Sequence, residues 1–392
     1  MHINNIEKSP LNFKNAGIAT AASFLEENVM LNKALLDASV DIPFVCLANN
    51  RIERKERFRR VATNFVLCFL TPFVTLPLTN RLAMKHIAKM TPKFMSKEAN
   101  LIQLSNKYLK NKELTKEGIE LLSKEKNTDY SEIIKKFGGD YEKMRTKLIN
   151  AKNSVLSFDL FFSPGSMVGM AFLNKFLTKK QTKMDGYSAE FELADRETVE
   201  KRAEKYKKHE TLREGIALGS ILALTALPIA IRKGLATPKT DRFAGFVKKH
   251  ADKFDYTKGI FMKRLPLFLF CTVSQTGICM ASRNQTELKN NALIASTAIA
   301  VFFGGDIVIN SILSKLSDKF LKTEIIDKSA PQKGINKLFP KTVPIKNLKG
   351  KSQKIAAANF FINLAVLAVL YGFGIPNLMN KIIRKDLSKE NR

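Results

Sequence analysis

Residues 356–376 read AAANFFINLAVLAVLYGFGIP, and this stretch determines the class of fold that the sequence can adopt. It contains no charged side chain. As a helix it would be about 31 Å long, close to the thickness of the hydrocarbon core of a bilayer. An uninterrupted apolar stretch of this length is typical of a helix that crosses a membrane.

Five further windows are depleted of charge in the same way, although the chain as a whole resembles a soluble protein. It has 392 residues, 65 Lys and Arg against 36 Asp and Glu, a net charge of +29 and a mean hydropathy of −0.12. Of these charged residues only Asp159 and Asp306 lie in the six windows, which are 61–80, 155–173, 215–231, 265–282, 292–313 and 356–376. The segregation excludes a single soluble domain, a coiled coil and a disordered chain. It predicts an all-α, polytopic membrane protein with about six membrane segments and an amphipathic or soluble helical insert.

The windows divide the chain into five predicted regions. These are N-terminal amphipathic helices with a polybasic juxtamembrane run (1–60), membrane segment 1 (61–80), a Lys/Glu-rich helical insert (81–154), segments 2–6 with basic loops (155–376) and a basic tail (377–392). Prolines in 61–80 and 155–173 also permit re-entrant segments, which leaves four to six crossings open.

Local signals predict where several helices begin and end. Gly138-Gly139 should stop one helix of the insert, and Asp140 should cap the next. Pro164 leaves two half-helices open as an alternative to one crossing in the second window. Asp195 should cap one long helix over 195–231. The short link 283–291 predicts a hairpin of segments four and five.

Polar residues inside the apolar windows are the first candidate functional site. A carboxylate at mid-bilayer is costly, and broken helices that carry one are how transporters build ion sites. Gly304-Gly305 could break the helix just before the carboxylate of the fifth window. The same groups could instead satisfy one another as interhelical hydrogen bonds, which is the favoured interpretation. The candidates are Asp306, Asn310, Asn359, Asn363 and, with weaker support, Asp159.

Two other patterns predict contacts rather than chemistry. Gly215, Gly219 and Ala223 form a small-residue stripe, which favours close helix packing within this protein over dimerisation. The run RIERKERFRR at 51–60 carries six cations against two glutamates, and it favours binding to anionic lipid headgroups. Its cations are Arg51, Arg54, Lys55, Arg57, Arg59 and Arg60. Nucleic acid is disfavoured because no recognition motif accompanies the charge.

The sequence gives no support for an enzyme. It contains no cluster of metal-ligating Cys or His residues and no nucleotide-binding or hydrolase motif, so no metal or cofactor is predicted. The expected function is a structural or interaction role in the membrane, with the bilayer as partner and no protein partner indicated. A transporter or channel using Asp306 and the asparagines is the alternative, and a membrane enzyme is less favoured. The basic run favours a cell membrane, plasma or inner, with a cytoplasmic N-terminus.

Overall fold

The protein is all-helical in a computed structural model that describes residues 17–27, 29–67, 101, 104–237, 241–257, 261–329 and 334–390. Most of predicted membrane segment 1, residues 68–80, lies outside the described residues. The one β-ladder among the described ranges pairs two residues with two, β1 (Tyr256–Thr257) against antiparallel β2 (Phe261–Met262). The all-α prediction is therefore confirmed.

The described residues form fifteen α-helices. They are α1 (Ile18–Glu27), α2 (Val29–Cys46), α3 (Arg51–Phe65), α4 (Lys112–Lys126), α5 (Ser131–Lys136), α6 (Tyr141–Thr182), α7 (Arg196–Lys207), α8 (Glu210–Ala236), α9 (Arg242–His250), α10 (Arg264–Met280), α11 (Gln285–Ala300), α12 (Asp306–Leu321), α13 (Ile335–Leu338), α14 (Gly350–Val369) and α15 (Ile375–Glu390). Short 3₁₀ turns lie at Tyr108–Lys110, Ser188–Glu190, Ala251–Lys253 and Ile345–Asn347, and π-helical turns lie at Val301–Gly305 and Leu370–Gly374.

The chain divides into two compact units that interleave along the sequence. Unit 1 comprises Met1–Val61, Thr178–Lys205 and Arg283–Arg392, and unit 2 comprises Ala62–Leu177 and Tyr206–Ser282. The predicted hairpin of segments four and five is divided between them, because α10 belongs to unit 2 and α11 to unit 1.

In unit 2, helices α6 and α8 run antiparallel. Ser157 donates a hydrogen bond of 3.2 Å to the carbonyl of Thr225, and further along α6 Lys175 forms an ion pair with Glu210 at the start of α8. Apolar side chains of α6, α8 and α10 fill the interface between these contacts. The buried members are Val155, Leu156, Leu160, Met167, Val168, Ala217, Ile221, Leu224 and Phe270.

The described part of the Lys/Glu-rich insert, residues 101 and 104–154, forms a packed lobe within unit 2. Its core joins α4, α5 and the first turns of α6 to the end of α8 and to α9. The buried members include Leu109, Ile119, Tyr130, Met144, Ile149, Ile231, Leu235 and Val247. The predicted helix boundary is confirmed, because Gly138 and Gly139 adopt positive φ and Asp140 accepts hydrogen bonds from the amides of Glu142 and Lys143.

Within the described residues, three stretches of helix are long and apolar enough to cross a membrane: Tyr141–Thr182, Glu210–Ala236 and Gly350–Lys389. They contain the second, third and sixth windows. The pair Gln285–Ala300 and Phe303–Leu321, bent by 40°, makes a fourth if it counts as one span. The fourth window forms a shorter apolar helix, Leu265–Met280.

The structure excludes one alternative for helix continuity and contradicts one prediction. Helix α6 passes through Pro164 without a break and is 42 residues long. Proline costs one backbone hydrogen bond, and helices with apolar surroundings tolerate it because neighbouring groups compensate. Conversely, the long helix predicted over 195–231 is two helices, because turns at Lys208 and His209 separate α7 from α8. Asp195 does cap the first of them by accepting from the Thr198 amide at 2.8 Å.

Candidate functional site

Helix α3 carries the polybasic run, and its first turn is fixed by hydrogen bonds similar to those of a capping box. The Asn50 side chain accepts a hydrogen bond from the Glu53 amide at 2.9 Å, while the Glu53 carboxylate accepts one from the Asn49 amide at 2.6 Å. The Asn50 amide group also donates to the carbonyls of Ser188 and Phe191 at 2.6 and 3.1 Å. These bonds determine which face of α3 points into unit 1.

The helix separates its charges between two faces. Both glutamates, Glu53 and Glu56, are buried. On the opposite side five residues form one stripe, which covers an arc of about 140° around the helix axis at 100° per residue. The stripe consists of Arg51, Arg54, Lys55, Phe58 and Arg59. Together with Val45 and Asn50 it lines an open groove of about 730 Å³ in unit 1. Four of the seven lining residues are cations and, in the described part of the chain, none is acidic.

Phe58 gives this cationic groove an aromatic component. Its side chain is 61% exposed, although a phenyl ring is favoured in a buried position. An exposed aromatic ring among cations is suited to a surface that is both apolar and negatively charged, such as the headgroup region of a bilayer.

The buried face of α3 is held by an ionic cluster around Glu56. Arg283 donates to both Glu56 oxygens at 2.8 and 2.9 Å and also pairs with Glu287, while the hydroxyls of Thr178 and Ser188 donate to Glu56 as well. Burial alone would raise the pKa of the Glu56 carboxyl. The Arg283 charge and the hydrogen bonds from Arg283, Ser188 and Thr178 outweigh burial and hold that pKa below its ordinary value.

A second group of polar contacts, most of them buried, lies in the same unit. Arg202 pairs with the fully buried Glu190 at 3.1 Å and donates to the Thr286 hydroxyl at 2.6 Å. Thr286 in turn donates to Asp386 at 2.8 Å, and Lys289 pairs with the same carboxylate at 2.7 Å. The sequence 283–291 is thus not a simple exposed link between apolar segments, since several of its side chains are buried in this polar core.

The six predicted lipid-binding cations therefore have different surroundings. Arg51, Arg54, Lys55 and Arg59 line the groove. Arg57 is buried, bonds to Glu53 at 2.5 and 3.0 Å and donates to the Phe44 carbonyl. Arg60 donates to the Asn291 side chain at 2.8 Å. The lipid-binding role stays a prediction, and the groove cations are the ones placed to perform it.

The polar candidates from the apolar windows of unit 1 lie on facing helices, α12 and α14. Asn359 is buried and donates to the Ser317 hydroxyl at 3.0 Å, an interhelical hydrogen bond of the kind that serves packing. Asn363 is buried one turn further along α14, and Asn310 is partly buried on α12. Asp306 is the first residue of α12, directly after the π-helical turn, and its side chain lies outside the described positions.

The remaining candidates lie in unit 2 and do not join this group. Asp159 is buried on α6, with 8% of its surface exposed. Gly215, Gly219 and Ala223 all lie on the exposed face of α8. A Cβ atom built on either glycine would meet no atom within 4 Å, so the expected packing of this stripe inside the protein is absent among the described residues.

Sequence analysis missed the residues that build the polar core. A helical wheel of residues 51–60 would have placed Glu53 and Glu56 opposite the stripe of cations, because they lie half a turn away from it. Arg283 and Glu287 are also spaced as a helical i,i+4 pair. No local pattern could have paired Arg283 with Glu56, which lies 227 residues away in the sequence.

The arrangement can present a fixed cationic surface, because the buried side of α3 is fully engaged in charge pairs. Among the described residues no group of three or more His, Cys, Asp or Glu side chains is placed to hold a metal ion. No protein-family model, curated protein or solved structure matches the chain.

Proposed function

We propose that the chain is a multi-pass integral membrane protein with about six membrane segments and a structural or interaction role in the bilayer. The observation that supports this is the exposure of the apolar windows. Only 44%, 28% and 33% of the apolar windows in Tyr141–Thr182, Glu210–Ala236 and Gly350–Lys389 are buried. The exposed large side chains include Phe158, Phe161, Phe162, Leu218, Leu222, Ile229, Val369 and Leu370. In water each of these half-exposed side chains would forgo roughly half of the about 1.5–3 kcal/mol that full burial is worth, whereas lipid removes that cost.

The spacing of ion pairs along α6 supports the same function. Lys152 is fully buried and pairs with Asp255 at 2.5 Å, and Lys175 pairs with Glu210. The two lysines are about 23 residues, or about 35 Å, apart along the helix. The apolar part of α6 between them therefore has the length that a hydrocarbon core of about 30 Å requires.

Tryptophan fluorescence tests this proposal directly, because the chain contains no tryptophan of its own. Phe162, 41% exposed near the middle of this part of α6, would be replaced by Trp. The matched control is Leu121→Trp, since Leu121 is 45% exposed on α4 in the lobe. In reconstituted vesicles we expect brominated lipid to quench Phe162→Trp and iodide to quench Leu121→Trp. Iodide quenching of Phe162→Trp to the level of the control would contradict membrane insertion.

The cationic groove supplies the proposed partner surface. Four cations at a bilayer surface attract anionic headgroups by about 1 kcal/mol each, and the exposed ring of Phe58 adds apolar contact. Because the groove lies on the run that precedes segment 1, we place the N-terminus on the cytoplasmic side of a cell membrane, as positive flanking charge favours.

A transporter or channel is the second candidate function, and the two π-helical turns favour it. The Tyr371 hydroxyl in one turn donates to the Thr297 carbonyl just before the other, and Gly305 lies against Leu367. Such turns recur at functional sites, and Asp306 follows the first one. This function ranks second because Asn359, a polar candidate on the facing helix, is used in a hydrogen bond between helices.

A further inference from the structure

Helix α9 has one face buried in the lobe and another that is exposed. Ala244 and Val247 are buried and pack at the end of α8. The approach is so close that a Cβ atom on Gly234 would lie 2.6 Å from the Cβ of Val247. A neighbouring face exposes Phe243 by 44% and Phe246 by 64%.

The position of α9 in unit 2 coincides with the end of an apolar span. The apolar window of α8 ends at Ile231, and the next two residues, Arg232 and Lys233, are exposed cations. Gly234, on which α9 packs, follows within one turn. The ion pair of Lys152 and Asp255 lies near the start of α6, which adjoins the end of α8 beside the lobe core. The exposed rings of α9 therefore lie where α6 and α8 pass from apolar to charged sequence.

The exposed face of α9 combines these rings with positive charge. Arg242 and Lys249 are exposed and lie with Phe243 and Phe246 in an arc of about 120° around the helix axis. Lys248 lies outside this arc and donates to the Thr237 carbonyl, which ties α9 to the end of α8. Rings flanked by cations suit the headgroup region, where phenyl groups contact the acyl chains and cations reach lipid phosphates.

We propose that α9 is an interfacial helix that lies in the plane of the membrane and binds anionic phospholipid. Phe243 and Phe246 enter the boundary between headgroups and acyl chains, and Arg242 and Lys249 contact the phosphates. The inference rests on the proposed membrane location of α6 and α8. A bilayer is the favoured occupant over a protein because the face is small, cationic and level with the end of the apolar span.

The test places a single tryptophan at Phe246 in the full chain, reconstituted into vesicles of phosphatidylcholine and phosphatidylglycerol. Separate vesicles carry bromine near the headgroup end or near the methyl end of the acyl chains. We expect Phe246→Trp to be quenched more strongly by the shallow bromine and Phe162→Trp by the deep bromine. Replacing phosphatidylglycerol by phosphatidylcholine should reduce the shallow quenching. Phe243→Trp repeats the measurement at a second exposed position and guards against a local effect of one substitution.

Three other results would overturn the proposal, and they are distinguishable. If iodide quenches both Phe243→Trp and Phe246→Trp while bromine still quenches Phe162→Trp, α9 lies in water and the proposed membrane function stands. Shielding of Phe246→Trp from bromine and iodide alike indicates a protein contact instead of lipid. Absence of bromine quenching at Phe162→Trp as well contradicts the proposed function itself.

Discussion

Replacement of Arg283 by methionine should be among the most destabilising single changes in unit 1. The guanidinium donates four hydrogen bonds of 2.8–2.9 Å, two to each of the carboxylates of Glu56 and Glu287. The side chains of these three residues are at most 13% exposed. Methionine preserves much of the side-chain volume and removes the charge, so two carboxylates would be left in a buried site without their shared cation.

The expected loss is large compared with the stability of a typical domain. Removing one partner of a buried ion pair costs about 3–5 kcal/mol, and whole domains are stable by about 5–15 kcal/mol. The control is Arg196→Met, because Arg196 forms a 3.0 Å pair with Glu200 in which the two side chains are 60% and 41% exposed. Such exposed pairs contribute about 0–1 kcal/mol. Thermal unfolding in detergent, followed by circular dichroism, should show a clearly lower Tm for Arg283→Met only.

The pH dependence of the Tm difference between wild type and Arg283→Met tests whether the unpaired charge of Glu56 causes the loss of stability. In the wild type the pKa of Glu56 is held below its ordinary value, so its contribution to stability is present above that value and is lost as pH falls through the folded pKa. Without Arg283, burial dominates and raises the pKa of Glu56, so protonation relieves the unpaired charge. The gap in Tm should therefore be widest near neutral pH and should narrow towards about pH 4. An equal loss for both arginine variants, or a gap that does not change with pH, would refute this reasoning.

The further predictions concern one glycine and one carboxyl. Gly234→Ala should lower the Tm by the equivalent of about 1–3 kcal/mol, because the added Cβ would overlap Val247. The control, Gly215→Ala on the open face of α8, should gain up to about 1 kcal/mol of stability from helix propensity. Equal Tm values for the two variants would contradict this. Burial raises the pKa of Asp41 to about 6 against the opposing effect of Arg60. Wild-type stability relative to Asp41→Asn should then increase as pH falls from about 6 to about 4, and a constant difference in pH-dependent unfolding would disprove it.

The features that could be predicted from the sequence are those with local causes. The cap at Asp140 after Gly138-Gly139 and the cap at Asp195 depend on residues within one turn, and both form as expected. The charge-depleted windows at 155–173, 215–231 and 356–376 lie in long helices for the same reason, since apolar composition over about 20 residues is a local property.

The features that could not be predicted depend on which helix face meets which neighbour. The stripe of Gly215 and Gly219 is a packing motif by composition, yet α8 packs through the adjacent stripe that contains Ala217, Ile221 and Leu224. The helical spacing of residues 51–60 puts Glu53 and Glu56 opposite the stripe of cations, but the burial of that face depends on Arg283, a distant cation that pairs with Glu56. A single sequence shows the residues on every face of a helix, but tertiary contacts determine which face is buried.

The discontinuity of unit 1 has a consequence for the order in which the protein assembles. Unit 2 ends at Ser282, and the next residue synthesised is Arg283. During translation unit 2 is therefore complete while Glu56 still lacks its cation, and the C-terminal segment of unit 1 has yet to emerge. We infer that unit 2 folds first and that closure of the ionic cluster around Glu56 is a late step. Nascent chains that stop before Arg283 should keep the contacts of α3 with Thr178, Ser188 and Phe191 but lack the cation of Glu56, so α3 should be less protected from proteases than in the full chain.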